Sequence, residues 1–223
     1  MDLRIAPLGV QTQAVDRLRE AIVSGHFLPG QRLVETDLCR ALGISRGSVR
    51  EALRRLEGER LVVITPNRGP SVTELSWEEA AQIYDVRALL EGEAAALAAQ
   101  HATEEQRVAM RAALAEFDTA VSAEDAPGRV VSTARFYAAM LSACGNAVIE
   151  ELLRGLHARI NLLRSRSMSR QGRAVHSARE MRAILKGIQD RSPEAARKAA
   201  VLHVQAAREA ARQASASTPG QAA

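Results

Sequence analysis

The chain has 223 residues, 47% apolar and 25% charged, enough for one or two globular cores and too apolar for wholesale disorder. Its net charge of +4 and pI near 9.7 permit a polyanionic partner without demanding one. No apolar run approaches the roughly 20 residues of a membrane span, residues 1–10 lack the apolar core of a secretory signal, and Cys39 and Cys144 form no C-x-x-C pair. A cytoplasmic protein with no membrane partner is therefore expected, its cysteines serving as small packing residues rather than a disulfide or zinc site.

Residues 1–10 show little periodicity and read as a loose arm. From Thr12, Val15, Leu18 and Ile22 recur at helical spacing until Gly25. Pro29-Gly30 forces a turn before a short second helix, Glu35–Leu42, and Gly43-Ile44-Ser45 makes a tight connection to a third. Read at 3.6 residues per turn, that third helix has two faces: Val49, Ala52, Leu53 and Leu56 on one, Arg46, Arg50 and Arg54 on the other. Residues 40–68 carry seven Arg against three Glu, a local basic patch rather than a basic tail. The charge pattern alone fits an ordinary solvated arginine face as well as a nucleic-acid contact. The order helix, tight turn, arginine-faced helix is that of a helix-turn-helix, whose second helix enters a major groove.

After Glu57 the period changes. Leu61-Val62-Val63-Ile64 is a β-branched run, Pro66-Asn67-Arg68-Gly69-Pro70 is turn chemistry, and Ser71-Val72-Thr73 returns as a partner strand. The hairpin is a wing with Arg68 and Gly69 near its tip, where glycine lets backbone approach phosphate and arginine reaches a phosphate or minor groove.

The run Gly30-Gln31-Arg32-Leu33-Val34-Glu35, followed by Leu38 to Glu57 with its core Ser45-Arg46-Gly47-Ser48-Val49-Arg50-Glu51-Ala52-Leu53, resembles the winged helix-turn-helix domain of GntR-family transcriptional regulators. The resemblance covers about residues 8–74 and implies a homodimer on the two half-sites of a palindromic operator in double-stranded DNA. It implies base reading by Arg46, base or phosphate contact by Arg50, and positioning contacts from Thr36, Ser45, Ser48, Arg68 and Gly69, with Arg54 reaching the backbone. Gly47 and Ser48 stand where the family usually has threonine and proline. Gly47 removes a hydroxyl and weakens the helix start by about 1 kcal/mol relative to alanine, so the operator is expected to differ from those of relatives.

Beyond Leu75 every segment reads as helix. Ser76-Trp77-Glu78-Glu79 is a capping box before the stripe Ile83, Val86, Leu90, Ala94, Leu97. Thr103-Glu104-Glu105-Gln106 is a second box before Met110, Leu114, Phe117 and Val121. Asp125-Ala126-Pro127-Gly128 breaks that helix, and a third carries Val130, Ala134, Tyr137 and Leu141 up to Gly145. Asn146 caps a fourth, with Ile149 to Leu163, and residues 165–172 read as a loop. A fifth carries Ala178, Met181, Ile184, Leu185 and Ile188. Pro193 opens a sixth at its first position, running to about Gln213, and residues 214–223 form a small-residue tail expected to be disordered. The fold class is thus mainly α: a winged helix-turn-helix of three helices plus a hairpin (residues 1–75) joined to a six-helix antiparallel bundle (76–213).

The Arg87-x-x-Leu90-Glu91 segment, the Phe136 segment with Gly145-Asn146, and residues 180–184 resemble the FCD effector-binding domain of the FadR-like GntR subfamily, and six helices look like its VanR-type branch. Many members of that subfamily hold a divalent metal through an Asp and a His four residues apart plus two later His. Here the matching positions are Thr133, Tyr137, Met181 and His203, so the resemblance implies a degenerate metal site and no cofactor. It implies instead a small-molecule effector, an organic acid, held by Tyr137, Thr133, Met181 and His203, with Arg87 facing its carboxylate. Arg87 equally suits an ion pair with Glu91 at i+4. His157 and His176 fall outside the pattern and read as surface or packing residues.

The function expected is that of a DNA-binding transcriptional regulator, a repressor in most of the subfamily, tuned by a metabolite in the bundle. The rivals are a constitutive DNA binder with a degenerate sensor, and a helical-bundle enzyme. No nucleophile–base spacing or phosphate loop supports the enzyme.

Overall fold

The computed structural model describes residues 9–168 and 172–216. They fall into two compact units, one ending at Leu75 and the other starting at Ser76.

In the first unit α1 (Gly9–Val23) buries Ala14, Val15, Leu18 and Ile22. It starts earlier than the expected Thr12, because its first turn is exposed and leaves no periodic signal. The part of the expected N-terminal arm before Gly9 lies outside the described residues. Helix α2 (Glu35–Leu42) has the bounds its pattern predicts and stops at Gly43, whose left-handed φ of 67° sends its N–H back to the Cys39 carbonyl. Helix α3 (Arg46–Gly58) buries the predicted Val49, Ala52, Leu53 and Leu56. Arg19 of α1 clamps the residue that ends α3, its Nε and Nη2 lying 2.7 and 2.6 Å from the two carboxylate oxygens of Glu59.

The wing is a two-stranded antiparallel hairpin of β1 (Val62–Thr65) and β2 (Gly69–Val72), with Val62 opposite Val72 and Thr65 opposite Gly69. Its turn takes two left-handed residues, Asn67 (φ 62°) and Gly69 (φ 82°), both types that adopt this region at low cost. A single bridge pairs Arg32 with Ser71, and the Leu33 N–H reaches the Pro70 carbonyl at 2.8 Å, so the segment before α2 backs the wing.

The second unit contains, among the described residues, α4 (Trp77–His101), α5 (Glu104–Ser122), α6 (Ala126–Cys144), α7 (Ala147–Met168), α8 (Arg173–Gln189) and α9 (Pro193–Ala216). The Thr103–Gln106 capping box closes in both directions. At Ser76 only half the box forms: the Ser76 Oγ takes the Glu79 N–H, while the Glu79 carboxylate lies 2.8 Å from Arg159 Nη2 on α7 instead. Asp125 caps α6, Gly145 ends it at φ 69°, and the Asn146 side chain accepts the N–H groups of Val148 and Ile149.

Other expectations need correction, among them Ala134 of the expected α6 stripe, which is exposed. Helix α7 continues through Met168 where a loop from Ser165 is expected, since Arg and Met are good helix formers and nothing there breaks the chain; residues 169–171 lie outside the described set. Helix α9 runs to Ala216, its alanines sustaining helix past Gln213, and the rest of the expected tail lies outside the described residues. On α4, Val86 is 44% exposed, and the buried face turns toward Arg87 and Glu91.

Phe136, Met140, Leu153, Met181, Ile184 and Ile188 centre the bundle core. Two glycines mark close approaches to α9. A Cβ on Gly92 would lie 2.9 Å from Val201 Cγ2, and one on Gly187 only 2.6 Å from the Ala196 backbone nitrogen. Among the described residues no helix is long and apolar enough to cross a membrane.

Candidate functional site

The arginine face of α3 is open: Arg46, Arg50 and Arg54 are exposed beyond the core-facing Val49 and Leu53. Ser45 is the N-cap, its Oγ accepting the Ser48 N–H at 3.2 Å and standing 3.0 Å from the Ser48 Oγ. The two hydroxyls expected at phosphate are therefore also the local cap of the helix. Gly47 is exposed between them, and a Cβ there would meet nothing nearer than the Ser45 Oγ at 3.8 Å. Thr36 is exposed in the first turn of α2, and Arg68 is exposed at the wing turn beside half-buried Gly69. The structure thus places all nine predicted contact residues in one unit, on α2, the start and exposed face of α3, and the wing.

Two members of this neighbourhood carry no sequence-level signal. Glu35 reaches across from α2, with its Oε1 and Oε2 at 3.0 and 2.9 Å from Arg50 Nε. Arg32 lies beside the wing, its Nη2 4.0 Å from the point a Cβ on Gly69 would occupy.

The bundle holds the second cluster. Arg87 and Glu91, 1% and 0% exposed, pair through Arg87 Nε and Glu91 Oε1 at 2.6 Å, and the same oxygen lies 2.7 Å from His157 Nε2. Of the two readings of Arg87, the ion pair with Glu91 is therefore realised. Of the surface and packing roles expected for the two histidines, His157 takes the buried one, since α7 packs on α4 and turns it into this network, and His176 is exposed. The Tyr137 ring neighbours both imidazoles, 4.4 Å from His157 and 6.3 Å from His203 by ring centres. His203 Nδ1 lies 2.7 Å from Glu180 Oε2, and Arg173 binds both oxygens of Glu180 at 3.0 and 2.9 Å.

Burial disfavours the Glu91 carboxylate, but Arg87 and His157 outweigh it and hold the group well below the usual carboxylate range. Arg87 is raised in turn, Glu91 overcoming its burial. Glu180 follows the same pattern: burial is outweighed by His203 and Arg173, and its pKa falls. At His203 burial wins over the attraction of Glu180, so its pKa is lowered and the ring is neutral at pH 7. Its Nδ1–H then donates to a carboxylate whose charge is balanced by Arg173.

The four positions that match the family's metal ligands do not suit a cation. Thr133 Oγ1 donates to the Arg129 carbonyl at 2.7 Å, the Met181 sulfur accepts from Ser177 Oγ, and His203 Nδ1 is taken by Glu180. A thioether, two hydroxyls and one available imidazole nitrogen make a weak, mixed donor set.

Residues 10–72 match the family described as bacterial regulatory proteins, gntR family, and residues 82–206 match the FCD domain. The chain is 28% identical over 198 residues to the uncharacterized HTH-type transcriptional regulator YdhC of Bacillus subtilis (strain 168), covering 88% of each. It is 33% identical over 143 residues to the Nta operon transcriptional regulator of Aminobacter aminovorans, covering 64% of this chain and 67% of that one. The solved structure of E. coli McbR/YncC is similar in fold, with a TM-score of 0.85 at 20% identity over 93% of this chain and 99% of that one. The open arginine face, its wing and the matches on both units lead to one conclusion: the chain belongs to the GntR family of bacterial regulatory proteins, as a DNA-binding transcriptional regulator with an FCD domain.

Proposed function

We propose that the chain is a homodimeric repressor, working in the cytoplasm, that grips a palindromic operator and changes its grip when a small molecule enters the FCD bundle. A two-fold dimer requires a two-fold operator, with one winged helix per half-site. The observation that carries this reading is the exposed row Arg46, Arg50, Arg54 on a helix whose opposite face is wholly buried. Arg46, in the first turn of α3, reads a base, with guanine O6 and N7 as the acceptors that suit a guanidinium. Arg50 joins it, while Thr36, Ser45, Gly47, Ser48, Arg54, Arg68 and Gly69 fix register on the phosphates.

The effector site is assigned to Arg87, Thr133, Tyr137, Met181 and His203. Arg87 Nη2 is buried without a hydrogen-bond partner while its Nε holds Glu91. An organic acid would take the free donor and leave the ion pair standing. Binding regulates only through a difference in affinity between the DNA-competent state and its alternative.

A second reading has support of its own: Arg87, Glu91, His157, Arg173, Glu180 and His203 already satisfy one another's charge, which also suits a bundle that binds nothing and a constitutive DNA-binding protein. Footprinting on the gene's upstream region, with and without candidate carboxylates, separates the two. Protection that changes with one acid supports the sensor, and protection indifferent to every acid supports the constitutive binder. Arg46→Ala should weaken operator binding by roughly 1 to 3 kcal/mol and relax preference at one base pair per half-site. Unchanged affinity and base preference would remove Arg46 from the interface.

A further inference from the structure

Arg50 is not a free cation. Its Nε lies 2.9 and 3.0 Å from the two oxygens of Glu35, 15 residues earlier and on a different helix. Glu35 opens α2, whose N-cap Val34 makes no side-chain cap bond, so its carboxylate sits where the helix dipole favours negative charge. Glu35 is also the better anchored partner, its side chain 28% exposed against 61% for Arg50. The pair stands in a groove of about 270 Å³ between the recognition helix and the wing, lined also by Leu53, Arg54, Ile64 and Pro70.

We propose that Glu35 is a specificity-determining residue of the DNA interface, acting by orienting Arg50 for base reading and keeping it off the phosphates. The proposal rests on the assignment of the α3 face to DNA.

A guanidinium offers five N–H donors in a rigid fork. With Nε committed to Glu35, a side-on approach through Nε is closed, and Nη1 and Nη2 remain for an end-on approach. Two parallel donors are what guanine O6 and N7 accept. A carboxylate beside the guanidinium also repels phosphate oxygens, so clamping the backbone with Arg50 brings two anions together, whereas reading a base edge does not. Charge adds a second effect. Glu35 lowers the positive potential of this face, which weakens sequence-independent attraction and widens the gap between specific and non-specific sites. Arg46 and Arg54 make no ion pair among the described residues and keep their full attraction for the duplex.

The test is selection of duplexes from a randomised pool by the purified full chain, comparing wild type with Glu35→Ala, Glu35→Gln, Arg50→Ala and Arg46→Ala. Glu35→Ala should broaden base preference at the positions that Arg50→Ala broadens and leave those governed by Arg46 untouched. It should also bind random-sequence duplex about threefold to tenfold more tightly at low salt, a gain that fades as salt screens it. Glu35→Gln keeps an acceptor for Nε, so it should show the non-specific gain with less loss of preference. Circular dichroism melts confirm that each variant is folded, and Glu35→Gln carries the test if Glu35→Ala is not. A motif unchanged in Glu35→Ala, or one broadened away from the Arg50 positions, overturns the proposal, as does unchanged low-salt binding of random-sequence duplex by Glu35→Gln. If wild type itself selects no motif while remaining folded, the DNA assignment of α3 fails, and the role of Glu35 falls with it.

Discussion

His203 Nδ1 and Glu180 Oε2 lie 2.7 Å apart, joining α9 to α8 through a histidine that is 3% exposed. Burial lowers the pKa of His203 below its ordinary value of roughly 6.5, so the folded protein holds this ring neutral at a pH where the unfolded chain protonates it. The unfolded state therefore binds more protons in that window, and stability falls as the pH drops below roughly 6.5. Glu180 and Glu91 act further down: their folded pKa values are depressed, and the stability they contribute above the ordinary carboxylate range is lost as acid protonates them. Thermal melts across this range should show two phases of loss. His203→Asn, which keeps an N–H for Glu180 and cannot titrate, should flatten the upper phase alone; an unchanged upper phase in that variant assigns it to another group.

The Arg87–Glu91 pair predicts an asymmetry between single and double substitution. Arg87→Met leaves the buried Glu91 carboxylate with His157 alone and should cost about 3 to 5 kcal/mol, whereas Arg87→Met with Glu91→Leu removes both charges and should recover part of that loss, less the cost of leaving His157 Nε2 without its acceptor. Urea unfolding of the two variants measures it. A double variant no more stable than the single would mean that the packing of these side chains, not their charge, dominates.

Gly47 lies in the first turn of α3 with open space around its absent Cβ and no positive φ. Alanine there should stabilise the protein by about 0.5 to 1 kcal/mol through helix propensity. A denaturation midpoint that does not rise would show that the first turn of α3 is frayed in the free protein.

Gly187 predicts the opposite sign. A methyl group there meets the Ala196 backbone at 2.6 Å, which no rotamer change relieves, so Gly187→Ala should cost about 1 to 3 kcal/mol as the helices part. Calorimetric unfolding with wild-type enthalpy and midpoint would show that the α8–α9 crossing accommodates a methyl group.

Much of the architecture was legible because its causes are local. The bounds of α2, the Gly43 stop, the Asn146 cap and the Thr103 box each depend on residues within about one turn, which a linear reading sees directly. The candidate DNA face was legible for the same reason, since 3.6-residue spacing separates Arg46, Arg50 and Arg54 from Val49 and Leu53. What escaped were pairings across elements. His157 reaches Glu91 over 66 residues and Glu79 leaves its capping box for Arg159 over 80, so neither follows from spacing along one helix. Glu35 and Arg50 escaped similarly: in the sequence each is an ordinary charge on its own helix, and only the turn between α2 and α3 makes them partners.

The contact of Gly187 with Ala196 also bears on motion. Packed helices shear past one another when interdigitated side chains change rotamer, and at this crossing one partner has no side chain and the other only a methyl group. At this point α8 and α9 have no side-chain rotamer to change, so a slip between them here must displace backbone. The proposed effector site takes Met181 from α8, His203 from α9 and Tyr137 from α6, and that locked crossing favours its opening on the Tyr137 side over slip between α8 and α9.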